Sequence, residues 1–266
     1  MPVATVNGVN LTYTVKGDGA PLVAMHGFAN SIYTWEPVMD ALSRRFQAFA
    51  YDHRGHGGSS KRQGPFGIET LTEDLLALLN FWGLDRVHLM GHSMGGRTAL
   101  LFALEHPERV DSLMLVASSA AAPEGEMRGR FEFLRKLALD EGVEAALASE
   151  GMQATLPRDY IDGASAEEFQ RRFLMNTPED YAAAVDAILD TPDMRERLGE
   201  IHVPTWVCVG EGDAGAMAYG EMFEERIPNC VRTIIPACGH FPMQDAPEAF
   251  CAAFDDFVET AIDMDS

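Results

Sequence analysis

Hydrophobic and polar positions in the first part of the chain predict a β-hairpin at its start. The apolar segments Val3–Val6 and Leu11–Val15 flank the pair Asn7-Gly8. Asparagine and glycine readily adopt the positive φ that a tight turn between antiparallel strands requires. We therefore expect the chain to begin with two paired strands.

Beyond the hairpin, short apolar runs alternate with segments whose apolar residues recur every three or four positions. The short runs predict strands at Pro21–Met25, Phe46–Tyr51, Val87–Met90, Val110–Val116, Pro204–Val209 and Val231–Ile235. The helical spacing predicts helices at Ile32–Arg45, Leu71–Trp82, Met94–Glu105, Met217–Arg226 and Pro247–Ile262. Strands that are apolar throughout and separated by helices are typical of a mostly parallel sheet with helices on both faces. The sequence thus predicts an α/β fold of that kind.

The helix predicted at Leu71–Trp82 has signals at both ends. Thr70 and Glu73 have the spacing of a capping box, with Thr70 as the N-cap residue. Gly83 directly follows the last apolar position, where a left-handed residue commonly ends a helix. We expect the helix to lie between these two signals.

The alternation stops at Ser118, and residues 120–200 predict helices alone. The helical segments are Phe131–Leu139, Val143–Ser149, Ala166–Met175 and Pro178–Leu189. A helical block inserted between two strands of one sheet is interpreted as a lid. We therefore predict a core of residues 1–119 and 201–266 and an inserted helical cap of residues 120–200.

The net charge excludes two classes of partner. The chain has 41 Asp and Glu residues against 20 Lys and Arg residues, a formal charge of −21. Nucleic acids and anionic lipids bind proteins through clustered Lys and Arg, so neither nucleic-acid binding nor electrostatic docking on a membrane is expected. The residues from 120 to 200 contain 18 acidic and 9 basic residues, the same ratio as the whole chain. The negative charge is therefore spread over the molecule.

Cysteine usage and the N-terminal sequence indicate a cytoplasmic protein. No two of the four cysteines (Cys208, Cys230, Cys238 and Cys251) form a CxxC pair, so we expect reduced thiols, with neither a disulfide framework nor a metal cluster. Residues 1–8 lack the basic and apolar regions of a signal peptide. No run of 18 apolar residues is present, which predicts that the chain has no membrane-spanning helix.

The clearest candidate for chemistry is Ser93, in the sequence Gly91-His92-Ser93-Met94-Gly95. This motif lies between a predicted strand and a predicted helix, where a serine would sit on a strained turn with its hydroxyl exposed. Side chains two residues before and after that serine would collide, and glycine at both positions removes the collision. The helix that follows favours negative charge at its N-terminus. Ser93 is therefore the predicted nucleophile.

A nucleophilic serine needs a base and a carboxylate that orients the base. Asp213 follows one predicted strand and His240 follows the next, so both are expected at the same edge of the sheet as Ser93. Glu211 is an alternative to Asp213 as the orienting carboxylate. Seven other histidines compete with His240, whose position is the best for a base: His26, His53, His56, His88, His92, His106 and His202.

Acyl transfer also needs two backbone N–H groups aimed at the carbonyl oxygen as it gains charge. The N–H of Met94, directly after the nucleophile, is the first candidate. The loop after the strand Pro21–Met25 provides the second, and Phe28 N–H is the predicted donor. His26 in that loop either holds the loop in shape or reaches the substrate.

Four motifs together resemble the α/β-hydrolase fold superfamily. They are His26–Phe28, Tyr51–Gly57, Gly91–Gly96 and Gly239–Phe241, and they occur in the order of that superfamily from about residue 20 to about residue 260. The resemblance implies an α/β-hydrolase core and the order serine, acid, histidine for Ser93, Asp213 and His240. It also implies that the block at residues 120–200 is the cap that covers the active site.

The resemblance and the choice of nucleophile narrow the chemistry. Members that resemble epoxide hydrolases and haloalkane dehalogenases use an aspartate nucleophile, which Ser93 argues against. C–C hydrolases share the triad but usually have a glycine-rich, proline-containing loop where this chain has Phe28–Tyr33. The leading hypothesis is a carboxylesterase for small to medium, fairly apolar substrates, working through an acyl-enzyme on Ser93. A lactonase, a C–C bond hydrolase or a lyase like those of menaquinone biosynthesis is the alternative, and a binding protein that kept the fold is a third.

Several residues are possible substrate contacts. The run Ser93-Met94-Gly95-Gly96-Arg97 resembles that of lyases that bind a polyanion, which makes Arg97 a candidate. An arginine at such a position more often lies along the helix surface or pairs with an acid. Phe131 in the cap and Phe241 beside His240 are the other candidates, with His26. The expected partners are a small ester and water, with no cofactor and no metal, in a monomer or homodimer.

Overall fold

The computed structural model describes residues 1–61 and 64–262, and eight strands within them form one sheet. The strands are β1 (Val3–Val6), β2 (Val9–Lys16), β3 (Ala20–Met25), β4 (Phe46–Tyr51), β5 (Val87–His92), β6 (Val110–Val116), β7 (Thr205–Gly210) and β8 (Cys230–Ile235). Their order across the sheet is β1-β2-β4-β3-β5-β6-β7-β8. β1, β2 and β4 pair antiparallel, and every other pair is parallel. The predicted mostly parallel sheet is confirmed.

The hairpin and the strands have the predicted positions. Asn7 and Gly8 have φ of 48° and 75°, as a two-residue turn between β1 and β2 requires. Val6 pairs directly with Val9 across this turn. Each predicted strand is present, with bounds that differ by at most two residues.

Twelve α-helices connect and cover the strands in the described ranges. They are α1 (Met39–Leu42), α2 (Ile68–Trp82), α3 (Met94–Glu105), α4 (Gly125–Glu141), α5 (Val143–Ala148), α6 (Glu150–Gln153), α7 (Arg158–Asp162), α8 (Ala166–Phe173), α9 (Pro178–Leu189), α10 (Ala214–Arg226), α11 (Pro242–Asp245) and α12 (Pro247–Phe257). Short 3₁₀ helices cover Ile32–Trp35, Pro107–Arg109 and Arg195–Glu200, and a π-helical turn covers Val258–Ile262.

Two local predictions were wrong. The segment Ile32–Arg45 is a 3₁₀ turn and the short α1, because Pro37 lies between them and has no N–H to donate. α2 begins at Ile68, so Thr70 is its third residue and Gly67 is the N-cap. The hydroxyl of Thr70 accepts a hydrogen bond from the Gly67 N–H at 3.4 Å. Gly83, with φ of 70°, does end the helix as predicted.

Alternate residues of the buried strands face two separate hydrophobic cores. Val23 and Met25 of β3 pack with α2, α3 and α10, whereas Leu22 and Ala24 pack with α1 and α12. Strand side chains alternate between the two faces of a sheet, so a strand that is apolar at every position needs helices on both. The continuous apolar runs in the sequence therefore belong to strands that helices cover on both faces of the sheet.

Helices α4 to α9 lie between the neighbouring strands β6 and β7, and we call residues 125–189 the helical insertion. Residues 117–204, all of them described, contain no strand. The insertion has its own hydrophobic core, which includes Leu134, Tyr181 and Val185. At its base the N–H of Met194 donates to the Ala120 carbonyl at 2.8 Å, joining the segments that enter and leave it. The predicted domain limits at residues 120 and 200 stay a prediction.

A search of the described residues finds no helix with the length and apolar character needed to cross a membrane.

Candidate active site

Ser93 is the N-cap residue of α3, directly after β5, and its backbone has φ of 52° and ψ of −111°. A positive φ is strained for a residue with a side chain, and the surrounding glycines show why the turn is possible. A Cβ on Gly91 would lie 2.3 Å from the Gly95 carbonyl oxygen, and one on Gly95 would lie 2.5 Å from the Met25 carbonyl oxygen. Only glycine fits at these positions. The predicted strand-to-helix turn at the serine is therefore present.

The structure brings Asp213 and His240 into direct contact. The Nδ1–H of His240 donates to Asp213 Oδ2 at 2.5 Å, and Asp213 Oδ1 accepts from the Ala216 N–H at 3.0 Å. Burial alone would raise the pKa of Asp213, but the hydrogen bond and charge of His240 and the Ala216 N–H hold it below its ordinary value. The alternative carboxylate, Glu211, accepts instead from the Ala237 N–H at 3.1 Å.

His92, the residue before Ser93, connects the serine turn to the loop of His240. Its Nε2–H donates to the His240 carbonyl at 2.8 Å, and its ring centroid lies 4.9 Å from that of His240. Burial lowers the pKa of His92 to about 3, so the ring is neutral at neutral pH. No hydrogen bond joins Ser93 Oγ to His240 in the described ranges, and such contacts often tighten only when substrate binds. Sequence reasoning did not give His92 this role.

The loop after β3 lies against the nucleophile. A Cβ on Gly27 would be 2.7 Å from His92 Nδ1 and 3.2 Å from the Cβ of Ser93. Neither Phe28 N–H nor Met94 N–H donates a hydrogen bond to another residue of the described chain. Two free N–H groups therefore flank Ser93, one from each element, as an oxyanion site requires.

His26 supports this loop from below. It is completely buried, its Nδ1–H donates to the Gly27 carbonyl at 2.7 Å, and its Nε2 accepts from the His53 N–H at 3.0 Å. Both ring nitrogens are thus occupied by the backbone. Of the two predicted roles for His26, the contacts agree with holding the loop and leave no ring nitrogen for a substrate.

The other two predicted substrate contacts, Phe131 and Phe241, have different surroundings. Phe131 of α4 is half-buried, and its ring centroid lies 6.0 Å from that of Phe28. Phe241 is 6% exposed and packs against the ring of His92 with a centroid distance of 4.7 Å. Phe131 therefore lies beside the proposed oxyanion loop, whereas Phe241 mainly supports the histidines.

The side chain of Arg97 contacts the end of the helical insertion, and its contact with substrate stays a prediction. Its guanidinium is buried and donates to the Ile188 carbonyl at 3.1 Å and to the Thr191 hydroxyl at 3.0 Å. A cation at the C-terminal end of α9 satisfies carbonyl groups there and favours the helix dipole. Arg97 therefore holds the insertion against the core, and it neither pairs with an acid nor lies on the surface.

Five buried histidines with lowered pKa values, His88 among them, should make the stability of the protein depend on pH. Burial, the largest cause in each case, lowers the pKa of His53 to about 3, of His56 to about 4 and of His92 to about 3, and that of His26 well below its usual range. Below about pH 6.5 the unfolded chain binds protons on these rings that the native protein does not bind. The free energy of unfolding should therefore fall as the pH drops from about 6.5 towards 4.

Asp52 acts in the opposite direction, because burial raises its pKa to about 6 and the native state then binds the extra proton. For the four most buried histidines together with Asp52, the net uptake on unfolding near pH 5 is about three protons, or roughly 4 kcal/mol per pH unit, and His88 adds to it. Urea unfolding at a series of pH values measures this slope. His53→Leu should reduce it by about 1.4 kcal/mol per pH unit. The exposed His202→Ala should leave the slope unchanged, and equal slopes in both variants would contradict the prediction.

Comparison with known proteins assigns the chain to a family. The sheet order, the strained serine between β5 and α3 and the acid–histidine pair define an α/β protein of the hydrolase type. A family model described as alpha/beta hydrolase fold matches residues 20–247. The chain belongs to the alpha/beta hydrolase fold family, which confirms the resemblance found in the sequence.

Two relatives and one solved structure that match carry the names of three kinds of hydrolase. The putative carbamate hydrolase RutD of Azorhizobium caulinodans is 31% identical over 233 residues, 86% of this chain and 87% of that protein. The pimeloyl-acyl-carrier-protein methyl ester esterase of Nitrosomonas europaea is 30% identical, over 90% of this chain and 96% of that protein. The crystal structure of the enol-lactonase from Burkholderia xenovorans LB400 superposes with a TM-score of 0.88 at 29% identity, covering 97% of this chain and 100% of that one.

Proposed function

We propose that this hydrolase cleaves carboxylic esters of small to medium, mainly apolar acyl groups through an acyl-enzyme on Ser93. The observation that carries the proposal is the strained turn of Ser93 beside the Asp213–His240 pair, whose hydrogen bond is 2.5 Å long. A buried carboxylate that holds Nδ1–H of a histidine leaves its Nε2 free to accept a proton. This arrangement activates an otherwise weak serine nucleophile.

In the proposed reaction, Ser93 Oγ attacks the ester carbonyl while its proton moves to His240 Nε2. Asp213 stabilises the imidazolium that forms, and the N–H groups of Phe28 and Met94 bind the oxyanion. Collapse of the tetrahedral intermediate breaks the bond to the alcohol, which leaves with the proton from His240. Water then attacks the acyl-enzyme by the same route, releasing the acid and restoring Ser93.

The preference for apolar acyl groups rests on the side chains around the oxyanion loop. The ring of Phe28 lies 4.6 Å from that of Tyr181 and 6.0 Å from that of Phe131, centroid to centroid. Both partners come from the helical insertion, which is the proposed cap. An acyl chain packed against these aromatic rings would gain about 25 cal/mol for each Å² of apolar surface removed from water.

A fluorophosphonate probe tests the mechanism directly. We expect it to label the protein covalently at Ser93, as located by mass spectrometry of peptides, because the serine is activated by its base. Denatured protein is the control and should stay unlabelled. A slow p-nitrophenyl ester should also give an acylated Ser93, which a lyase that only removes a proton does not form. A folded protein that the probe leaves unlabelled would favour a binding protein and contradict the proposal.

A carbamate is the second candidate substrate, since two matched relatives are named putative carbamate hydrolases, at 31% and 30% identity. The same attack on a carbamate carbonyl would leave a carbamoyl group on Ser93. A matched aryl ester and aryl carbamate add different masses to Ser93, which identifies the group transferred in each case. Faster turnover of the carbamate than of the ester would favour a carbamate hydrolase.

A further inference from the structure

Arg130, on α4 of the helical insertion, lacks the partner that most arginines of this protein have. Among the described arginines only Arg97, Arg109 and Arg130 have no carboxylate within salt-bridge distance. Arg109 is satisfied by carbonyl and amide oxygens, including those of Asp85 and Asn80. The guanidinium of Arg97 donates to the Ile188 carbonyl and the Thr191 hydroxyl at the end of α9. Arg130 donates only to the Gly151 carbonyl, although a guanidinium has five N–H donors.

Two other arginines of α4 do pair with carboxylates, one on α4 itself and one on α9. Arg128 pairs with Glu132 at 3.0 Å, and Arg135 pairs with Asp186 at 2.6 Å. Arg130 is half-buried like Arg135, whereas Arg128 is exposed. In a chain with 21 more acidic than basic residues, a partly buried arginine without a carboxylate needs an explanation.

The surroundings of Arg130 belong to the proposed active site. Its chain neighbour Phe131 packs against Phe28, whose N–H is a proposed oxyanion donor. Burial lowers the pKa of Arg130, and the nearby Tyr181 phenol and Asp213 carboxylate oppose that shift. Arg130 is therefore within electrostatic range of Tyr181 and of Asp213, the proposed orienting carboxylate.

Tyr181 of α9 is a second polar group of this region without a partner. Its side chain is 1% exposed, and within the described chain its hydroxyl has no hydrogen-bond partner. Its ring packs on Phe28 at a centroid distance of 4.6 Å. Burial raises the pKa of Tyr181, so the hydroxyl stays protonated and can donate. A buried hydroxyl with no acceptor is unfavourable, and a ligand oxygen would satisfy it.

We propose that Arg130 and Tyr181 form a subsite for a carboxylate, so that the substrate is an ester or lactone with a second, ionised carboxyl group. This inference rests on the proposed hydrolysis at Ser93. A planar guanidinium matches a carboxylate with two parallel hydrogen bonds, and a phenol hydroxyl donates a third. The apolar part of the acyl chain would then pack against the rings of Phe28 and Phe131.

The large negative charge of the protein does not oppose this subsite at short range. Exposed charges are screened beyond about 8 Å at physiological ionic strength. A guanidinium in contact with the substrate carboxylate is only partly solvated and is screened much less. The net charge therefore slows the encounter with an anion but does not remove the local attraction.

Matched esters test the subsite. Mono-p-nitrophenyl esters of straight dicarboxylic acids, from succinate to suberate, are compared with p-nitrophenyl esters of the monocarboxylic acids of equal carbon number. A second pair, 4-acetoxybenzoate and phenyl acetate, places the carboxylate on the alcohol side. For each pair the measured quantity is the ratio of kcat/KM for the anionic ester to that for the neutral ester.

Arg130→Gln should lower this ratio about 30-fold for at least one pair, mainly through a higher KM for the anionic ester, because a charged hydrogen-bonded contact is lost. Arg130→Lys keeps the positive charge but not the planar guanidinium with its two parallel N–H groups, so the ratio should fall less. Tyr181→Phe should lower the ratio several-fold without lowering the free energy of unfolding, since the hydroxyl it removes is unpaired. Arg128→Gln removes the same charge from the same helix and should keep the wild-type ratio.

Two results would overturn the inference and leave the hydrolase intact. One is an equal loss on neutral and anionic esters in Arg130→Gln, which would show that Arg130 only supports the insertion. The other is an unchanged preference for the anionic ester. In that case Arg130→Gln and Arg130→Lys would have the same ratio of kcat/KM values as Arg128→Gln for every pair of esters. A wild-type protein that hydrolyses none of these esters and resists the fluorophosphonate would instead contradict the proposed function, and the subsite with it.

Discussion

Ser93→Ala is expected to lower kcat for a p-nitrophenyl ester at least about a thousandfold, because no acyl-enzyme can form without the hydroxyl. The fold should survive, since the strain at this position comes from φ of 52° and alanine lacks only the hydroxyl oxygen. Binding in the pocket and the two free N–H groups would remain, so a small residual rate above that of water is also expected. Steady-state kinetics with purified protein measure the loss.

The matched control is Ser119→Ala, which removes a buried hydroxyl that donates to the Ala121 carbonyl at 3.3 Å. This serine lies at the start of the segment that leads into the insertion, so its loss should change kcat less than about threefold while costing roughly 1 kcal/mol of stability. If Ser93→Ala kept most of the activity, the serine mechanism would be wrong. If both variants lost activity equally, the effect would be one of folding.

Asp213→Asn is expected to lower kcat by about three to four orders of magnitude. The carboxylate accepts the Nδ1–H of His240, which leaves Nε2 without a proton and able to act as a base. An asparagine amide can turn its NH₂ group towards Nδ1, which favours the tautomer with the proton on Nε2. That tautomer cannot accept a proton from Ser93, so the loss should appear in kcat with little change in the fold.

Glu211→Gln is the control for Asp213→Asn and tests the other carboxylate of the same loop. Glu211 accepts a hydrogen bond from the Ala237 N–H at 3.1 Å and has no contact with His240 in the described chain. Its amide variant keeps an oxygen acceptor for that N–H, so kcat should change less than about fivefold. A large loss of kcat in Glu211→Gln together with a small loss in Asp213→Asn would show that Glu211, and not Asp213, orients His240.

Features with a local physical cause could be predicted from the sequence. The hairpin at Asn7-Gly8 depends on the φ preferences of two neighbouring residues, and the buried strands depend on runs of apolar residues. The serine turn depends on glycines two residues before and after Ser93, and those close approaches are present. The order of the motifs along the chain was enough to identify the fold family, because their spacing is specific to it.

The errors arose where one residue overrides a periodic pattern. Apolar positions at helical spacing continue through Ile32–Arg45, but Pro37 has no N–H and divides the segment. The predicted start of α2 was too late because threonine is a common N-cap residue. In the structure Thr70 is the third residue of the helix, and its hydroxyl accepts a hydrogen bond from the Gly67 N–H. Periodicity locates a helix better than it locates the ends of that helix.

Contacts between distant parts of the chain could not be predicted. Arg97 binds the end of α9, 91 residues further along, and His92 binds the His240 carbonyl, 148 residues away. No spacing rule connects such residues, and each looks like an ordinary helix or strand residue in isolation. Arg130 and Tyr181 escaped notice for another reason, since what marks them is the lack of a partner, which only the folded chain reveals.

The bond between Met194 and Ala120 has a consequence for how this protein can diversify. Because β6 and β7 are neighbours in the sheet and the base of the insertion is joined, the whole insertion is a single side branch of the core. For a flexible loop, each doubling of its length costs only about 0.6 kcal/mol in chain entropy. Loop insertions within the branch should therefore leave the pairing of β6 with β7 and the strained turn of Ser93 in place.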